Sequence, residues 1–306
     1  MATAAAAAAK TPAPTTLPGK TLPQNLERML SRVTELGSLP EVTTRIVQVV
    51  EDPKATAHDM HEIVRSDPAL ATKILKVVNS AFYGLPSQIA SLDRAIIMLG
   101  LSAVKNIALA ASLTRMFKPE PISAQFEARD LWKHTIAVGV CSKVIADKVR
   151  YGQEEAFVGG LVCDVGLMAI QQIMSDKLRE CAEHCYSQPV EYLATEQQII
   201  GADHQVFGDS LAAKWKFPPA LRACIAYHHE PHMLKPEFRK LVSIIFIADT
   251  ICCQNQLGYW LPAATQELSA EALDTVGLNE PLLQQVADVL PDRIAEAESI
   301  FGDVTH

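Results

Sequence analysis

The sequence predicts an all-α protein. Its apolar residues recur at helical spacing, its segments open and close on helix-capping residues, and alternating β-branched runs bounded by hairpin turns are nearly absent. Pro40 can occupy the first position of a helix whose apolar face is Val42, Ile46, Val49 and Val50. Asp52–Pro53 stops that helix. Thr56-x-x-Asp59 then has the form of a capping box and opens a short helix to about Arg65. Asp67–Pro68 reads as an N-cap followed by Pro at the first turn, and predicts a third helix ending at Gly84. Ser91 caps a fourth, carrying Leu92, Ile96 and Leu99 and stopping at Gly100, and Ser102 caps a fifth to about Phe117. Such short connections make a compact bundle.

The pattern breaks between Lys118 and Pro121, which predicts a junction between two helical lobes. Longer helices follow at about 125–149, 153–174, 189–216 (broken near Gly201), 218–229 and 237–254. Residues 255–270 read as loop, and helices at about 271–290 and 291–301 close the chain. The expected organisation is a tail rich in Ala, Thr and Pro over 1–22, a first lobe over 23–120, a second over 121–254 and a C-terminal loop and helices over 255–306. The tail composition offers too little apolar area to offset its ordering entropy, so it is expected to be disordered.

Composition narrows the function. With 27 basic against 35 acidic residues the net charge is −8, which lacks the cationic footprint of nucleic-acid or anionic-membrane binding. Direct DNA or RNA binding is not expected. Nor is a membrane span, since no apolar run is expected to approach the ~20 residues required. The start MATAAAAAAK lacks the charged and apolar regions of a signal peptide, and the seven cysteines read as reduced thiols, so a cytoplasmic location is expected. Cys181, Cys185, Cys252 and Cys253 lack zinc-ribbon spacing and read as core or helix-surface thiols. The helices at 91–99 and 102–117 read as a packing hairpin, because the second carries only Lys105 and Arg115 as cations. Trp132, Trp215 and Trp260 read as core or interface residues.

The second lobe carries a constellation of His134, Cys163–Asp164, His204, His228–His229 and Asp249, each on or beside an apolar helical stretch. Asp164 lies in Gly-Gly-Leu-Val-Cys-Asp-Val-Gly-Leu-Met, where a carboxylate is costly to bury without a cation or several donors. Imidazoles and carboxylates on the inner faces of adjacent helices are the materials of a mono- or dinuclear transition-metal site. Any one of these histidines alone is more often a hydrogen-bonded core residue than a ligand. Near Tyr83, Asn79-Ser-Ala-Phe-Tyr-Gly84 is either a helix end with a loop anchor or a contact surface between lobes or with a partner.

The order His … Asp … His … His-His … Asp resembles the HD superfamily of metal-dependent phosphohydrolases, particularly its HD-GYP branch. The segment Ala-Asp-His-Gln-Val-Phe-Gly, with His204 and Gly208, is similar to that branch's His-x-x-x-Gly. Leu39-Pro-Glu-Val, Ile63-Val-Arg-Ser-Asp-Pro-Ala-Leu70, Val78-Asn-Ser-Ala-Phe-Tyr-Gly84 and Ser91-Leu-Asp-Arg-Ala-Ile-Ile-Met-Leu-Gly100 resemble the HDOD domain, over roughly residues 25–255. This resemblance implies an HDOD-type bundle packed on an HD-like lobe in a bacterial, cytoplasmic signalling protein. It also implies protein partners and a divalent ion such as Zn, Fe or Mn at the candidate site. Cys163 stands where the His of the His-Asp pair belongs, and Pro231–His232 rather than Gly-Tyr-Pro follows Glu230. Both departures weigh against cyclic di-GMP hydrolysis. A thiolate at Cys163 would favour a softer ion such as zinc, whereas its apolar neighbours Leu161, Val162 and Val165 favour a neutral thiol. The expected function is therefore a non-catalytic regulator acting through protein contacts. The alternatives are a nucleotide or cyclic-dinucleotide phosphohydrolase, or a nucleotide-binding effector without turnover.

Overall fold

The computed structural model describes residues 17, 19–32, 41–52, 54–79, 83, 85, 88–113, 121–127 and 129–301. Pro40, Pro53, Gly84, residues 114–117 at the expected end of the fifth helix and 118–120 of the expected lobe junction, like residues 1–16 and 18 of the expected tail, lie outside that set. Helices α1 (Gln24–Arg32), α2 (Glu41–Glu51), α3 (Ala57–Arg65), α4 (Pro68–Val78), α5 (Leu92–Leu99) and α6 (Leu101–Leu113) form the first group. The second comprises α7 (Asp130–Lys148), α8 (Gln153–Val162), α9 (Val165–Ile173), α10 (Ser175–Ser187), α11 (Tyr192–Ile199), α12 (His204–Lys214), α13 (Pro219–Tyr227) and α14 (Pro236–Gln254). Helices α15 (Ala270–Val276) and α16 (Glu280–Phe301) complete the chain. Among the described residues there is no strand, only an isolated Ser123–Phe126 bridge.

The capping signals act as expected. The Thr56 hydroxyl accepts from the Asp59 amide while Asp59 accepts from the Thr56 amide, and Asp67 and Ser91 cap α4 and α5. Several boundaries differ from the sequence expectation. Helix α4 ends at Val78, because the Asn79 side chain leaves the helix to pair with a loop. Its amide donates to the Ile89 carbonyl at 2.7 Å and its oxygen accepts from the Ile89 amide at 2.5 Å. Helix α6 begins directly after Gly100, so Ser102 lies inside it. The helix expected at 125–149 begins only at Asp130. A helix not anticipated over 175–187 buries Leu178, Cys181, Ala182 and Cys185 at i, i+3, i+4, i+7. The expected break at Pro291 does not occur, because Val286, Leu290, Ile294 and Ala297 form one buried stripe across it. That packing outweighs the lost backbone hydrogen bond.

Two expectations about the chain's apolar segments are corrected. Lys20 and Leu22, assigned by composition to the tail, pack: Leu22 is buried, and Lys20 pairs with Glu230 at 2.8 Å while lying over the Tyr227 ring. By length and composition Gln153–Ile173 is apolar enough to cross a membrane. In the fold that stretch is bent at Cys163–Asp164 into α8 and α9, with 89% of its most apolar window buried in protein.

Helix α7 lies at the centre of the second group, packed by α8, α14 and α16. The first group meets it through α6 against α8 and through a latch around Lys143. There the Tyr83 hydroxyl donates to Glu154 at 2.8 Å, and the Lys143 ammonium pairs with Glu154 at 2.9 Å while sitting 3.9 Å above the Tyr83 ring. Tyr83 is thus a contact between lobes.

Helices α9 and α12 approach at Gly166 and Gly208. A Cβ on Gly166 would come within 1.8 Å of the His204 carbonyl oxygen, and one on Gly208 within 2.5 Å of Ile225. This approach sets His204 beside Asp164. Because the obstacle at Gly166 is backbone, Gly166→Ala should cost about 3 kcal/mol or more in urea denaturation, as severe overpacking does. A loss under 1 kcal/mol would mean the two helices can separate freely.

Candidate metal centre

Helix breaks and helix ends deliver most of the candidate side chains. Asp164 sits at the corner between α8 and α9. His204 opens α12 just after the left-handed turn at Gly201, where Asp203 caps the helix through the Val206 amide. His228 and His229 follow the end of α13, while His134 and Asp249 project from within α7 and α14. All are buried: His134, Asp164, His204 and His228 have no exposure, and His229 retains 8%.

Each imidazole is held from behind by its Nδ1. His134 Nδ1 lies 3.0 Å from the Leu257 carbonyl, and His228 Nδ1 lies 3.1 Å from the Cys224 and Ile225 carbonyls. A carbonyl only accepts, so Nδ1 donates in both cases and Nε2 is left to face the centre, where it can take a proton or a metal ion. His204 Nδ1 donates to Glu196 Oε2 at 2.7 Å, an oxygen that also accepts from the His204 amide at 2.9 Å. His229 Nδ1 faces Gln266 Oε1 at 2.9 Å. Gly258, at φ +67°, allows the loop to pass over α7 where a Cβ would meet the Asp130 carbonyl at 2.4 Å, and so places the Leu257 oxygen behind His134.

The Nε2 atoms converge. Those of His228 and His229 each lie 3.2 Å from that of His204. Asp164 joins two halves, with Oδ1 3.5 Å from His204 and His228 and Oδ2 3.5 Å from His134. His134 Nε2 also lies 3.0 Å from Asp249 Oδ1. Three sets of donor atoms lie within 4.8 Å of one another: His204, His228 and His229; His134, Asp249 and Cys253; Cys163, Asp164 and His228.

The donor chemistry fits a cation. Nitrogen lone pairs 3.2 Å apart, each fixed from behind, repel unless a proton or metal ion lies between them. Asp164 Oδ1 and Asp249 Oδ2 are buried without a hydrogen-bond partner, which is costly for a carboxylate. Burial would raise the Asp164 carboxyl, but His134 and His228 outweigh it and hold the group well below the usual carboxylate range. Burial also opposes charge on His134, yet its sulfur and carboxylate neighbours keep it well above the ordinary imidazole value. Burial and the flanking imidazoles push His229 well below that value.

Cys163 lies at the centre, in surroundings that favour the protonated thiol while no ion is bound. Burial, reinforced by Asp164 and Asp249, raises the thiol well above its usual value, and Sγ donates to the Gly160 carbonyl at 3.1 Å. The neutral-thiol reading of the sequence is the one that fits. Four supporting groups escaped sequence reasoning: Glu196, Cys253, the Leu257 carbonyl and Gln266. Cys253, read as a core thiol, is buried but stands 3.5 Å from Asp249 and 4.0 Å from His134 Nε2. The available signal was its spacing, one helical turn after Asp249. Glu196 had one too, as a carboxylate in a turn that leads directly to His204.

Comparison with known proteins identifies the family and the fold. The HDOD domain family matches residues 36–231, which include His134 to His229 but not Asp249, Cys253 or Gln266. An HDOD domain protein of Geobacter sulfurreducens superposes with a TM-score of 0.77 at 20% identity, covering 90% of this chain and 97% of that one. A candidate phosphohydrolase of Shewanella amazonensis gives 0.70 at 21% identity over 89% and 97% of the two chains. A candidate signal transduction protein of Marinobacter aquaeolei gives 0.71 at 22% identity, over 94% of this chain and 62% of that one. An uncharacterized protein of Treponema pallidum is 23% identical over 71% of this chain, and the match spans only 42% of that longer relative.

The centre has a pH signature in protein stripped of metal. Burial lowers the affinity of His204 for its proton, but Glu196 prevails and raises it to about 9. Burial in turn raises Glu196, so the pair retains a proton together. An imidazole raised from 6.5 to about 9 contributes stability that is complete below about 6.5 and is lost as the pH approaches about 9. Thermal melts of chelator-treated protein should therefore fall in Tm across that window, and His204→Gln should flatten the fall. An equally steep fall in the variant would assign the effect to other groups.

Proposed function

The chain belongs to the HDOD domain family, and on that premise we propose that it is a non-catalytic signalling regulator. Its second lobe, in this reading, is built round a closed metal centre, and it acts through contacts with other proteins. The observation that carries this is the enclosure of the donor set. Two surface clefts, of about 200 and 340 Å³, meet the centre at His229, the larger also at Gln205 and Gln266. The larger is walled by Glu191, Asp203 and Glu230, an environment that repels phosphate esters. The described ion-pair partners of Asp164 and Asp249 are imidazoles, and Arg239, which lines the smaller cleft, donates to the Leu234 and His232 carbonyls.

His204, His228 and His229 with Asp164 would hold one ion, and His134 with Asp164 and Asp249 would form the second half. Imidazole and carboxylate donors suit zinc, iron or manganese, and a protonated Cys163 removes the thiolate bias toward zinc. A bound ion would neutralise the buried carboxylates and, in a hydrolase, polarise a phosphoryl oxygen. The protein-contact part of the reading draws support from α5. There Ile97 and Met98 are 74% and 40% exposed on consecutive positions, an apolar edge on the first lobe. Membership of a family that includes signalling proteins points the same way.

A metal-dependent phosphohydrolase is the second reading. Every position of the His/Asp order except Cys163 retains its donor, and the Shewanella relative is a candidate phosphohydrolase. Elemental analysis of protein purified without chelator separates the two. Near-stoichiometric metal, absent from Asp164→Ala, with no release of phosphate or cleavage of phosphodiesters above the variant's background, is the expected result. Turnover that disappears with Asp164→Ala would replace this reading with the hydrolase, and absence of metal would remove the metal centre from both.

A further inference from the structure

Gln266 lies beyond the stretch that matches the family, and beyond every motif that first marked the site. It nevertheless closes the centre from behind. Its amide nitrogen hydrogen-bonds to Thr250 Oγ1, and its side-chain oxygen lies 2.9 Å from His229 Nδ1. The Gln254 amide holds the Gln266 backbone carbonyl at 3.1 Å.

The donors and acceptors along this chain are set by the group at its far end. The Thr250 hydroxyl lies 2.7 Å from the Phe246 carbonyl, one turn earlier in α14, and donates to it. Thr250 Oγ1 is then an acceptor toward Gln266, so the amide presents NH2 to Thr250 and its oxygen to His229. An oxygen facing Nδ1 requires the proton on that nitrogen. Asp249 Oδ2, buried 3.7 Å from His229 Nδ1, favours a proton there as well. His229 Nε2 is left with its lone pair pointing at His204 Nε2.

We propose that Gln266 is a positioning residue that fixes His229 as the Nδ1–H tautomer and so delivers Nε2 to the centre as a metal donor. Its role for the metal rests on the proposed function above, but the tautomer does not. Phe246, Thr250, Gln266 and His229 act as a relay of fixed polarity, in which a helix carbonyl determines the state of an imidazole across the core. Gln205, whose oxygen accepts from the His229 backbone amide at 3.3 Å, steadies the same residue without touching its ring nitrogens.

Long-range proton–nitrogen correlation spectra of full-length, metal-free protein with labelled histidine test this directly. In wild type, His229 should show a protonated Nδ1 and a bare Nε2. Gln266→Leu should abolish that preference, whereas Gln266→Glu, which keeps an acceptor oxygen, should preserve it. Thr250→Val, close in shape and lacking the hydroxyl, should free the amide to rotate and give a mixture; it covers the case in which Gln266→Leu does not fold. A wild-type His229 protonated on Nε2, with the Gln266 NH2 turned toward it, would overturn the proposal, as would an unchanged spectrum in both Gln266→Leu and Thr250→Val. Competition against a chromophoric zinc chelator adds a second readout. Gln266→Leu should weaken binding roughly 10- to 100-fold, the usual cost of losing a partner behind a metal-bound His, with Gln266→Glu rescuing it. If wild type takes up no zinc, the metal reading fails while the tautomer result still stands or falls by itself.

Discussion

The buried carboxylate of Asp164 is the constraint around which the second lobe is organised. An ionised group without solvent exposure is tolerated only where positive charge or several donors surround it. Here imidazoles from α7, α12 and the end of α13 bring their Nε2 atoms to 3.5 Å, where a proton or cation held on them supplies the positive charge. The demand propagates outward. Each imidazole needs an acceptor behind it, which fixes the positions of Glu196, the Cys224 and Ile225 carbonyls, the Leu257 carbonyl and Gln266. Those acceptors in turn constrain the entry to α12, the end of α13 and the loop after α14. The close approach at Gly166 and Gly208 and the turn at Gly258 serve the same requirement.

The helical class and the principal residues of the centre were legible because their signals are local or ordered along the chain. Capping at Thr56, Asp67 and Ser91 depends on neighbours within one turn. The order of His134, Asp164, His204, His228, His229 and Asp249 survives as a linear pattern however the helices pack. Signals that depend on tertiary contact were not legible. The stripe that carries α16 through Pro291 shows its strength only once it lies against α7. Asn79 ends α4 early by pairing with Ile89, ten residues on, which no helical periodicity reports. Gln266 looks like a loop glutamine until Thr250 and His229 are seen on either side of it.

Cys163 places a small buried thiol beside Asp164 at the bend of the second lobe. The thiol is small, packs without exposure and donates a hydrogen bond to the Gly160 carbonyl at the bend between α8 and α9. A metal-binding imidazole at this position would instead direct a nitrogen lone pair inward beside Asp164. The surrounding donors remain arranged for a cation, and Cys253 brings a second buried thiol to the His134 side.

The distances in sequence between these partners also fix an order of events during synthesis. His134 meets Asp249 across 115 positions and Leu257 across 123, and His229 waits for Gln266, 37 residues later. The first group of helices, whose largest internal pairing joins α2 to α6, has all its internal partners once residue 113 has emerged, while the ribosome is still producing the rest. Until the segment through residue 266 has emerged, the nascent chain holds its histidines without their acceptors and an aspartate without its full set of counter-charges. For that interval the most polar part of the eventual core is its least finished part, and a cellular cation could reach from solvent what the completed fold encloses.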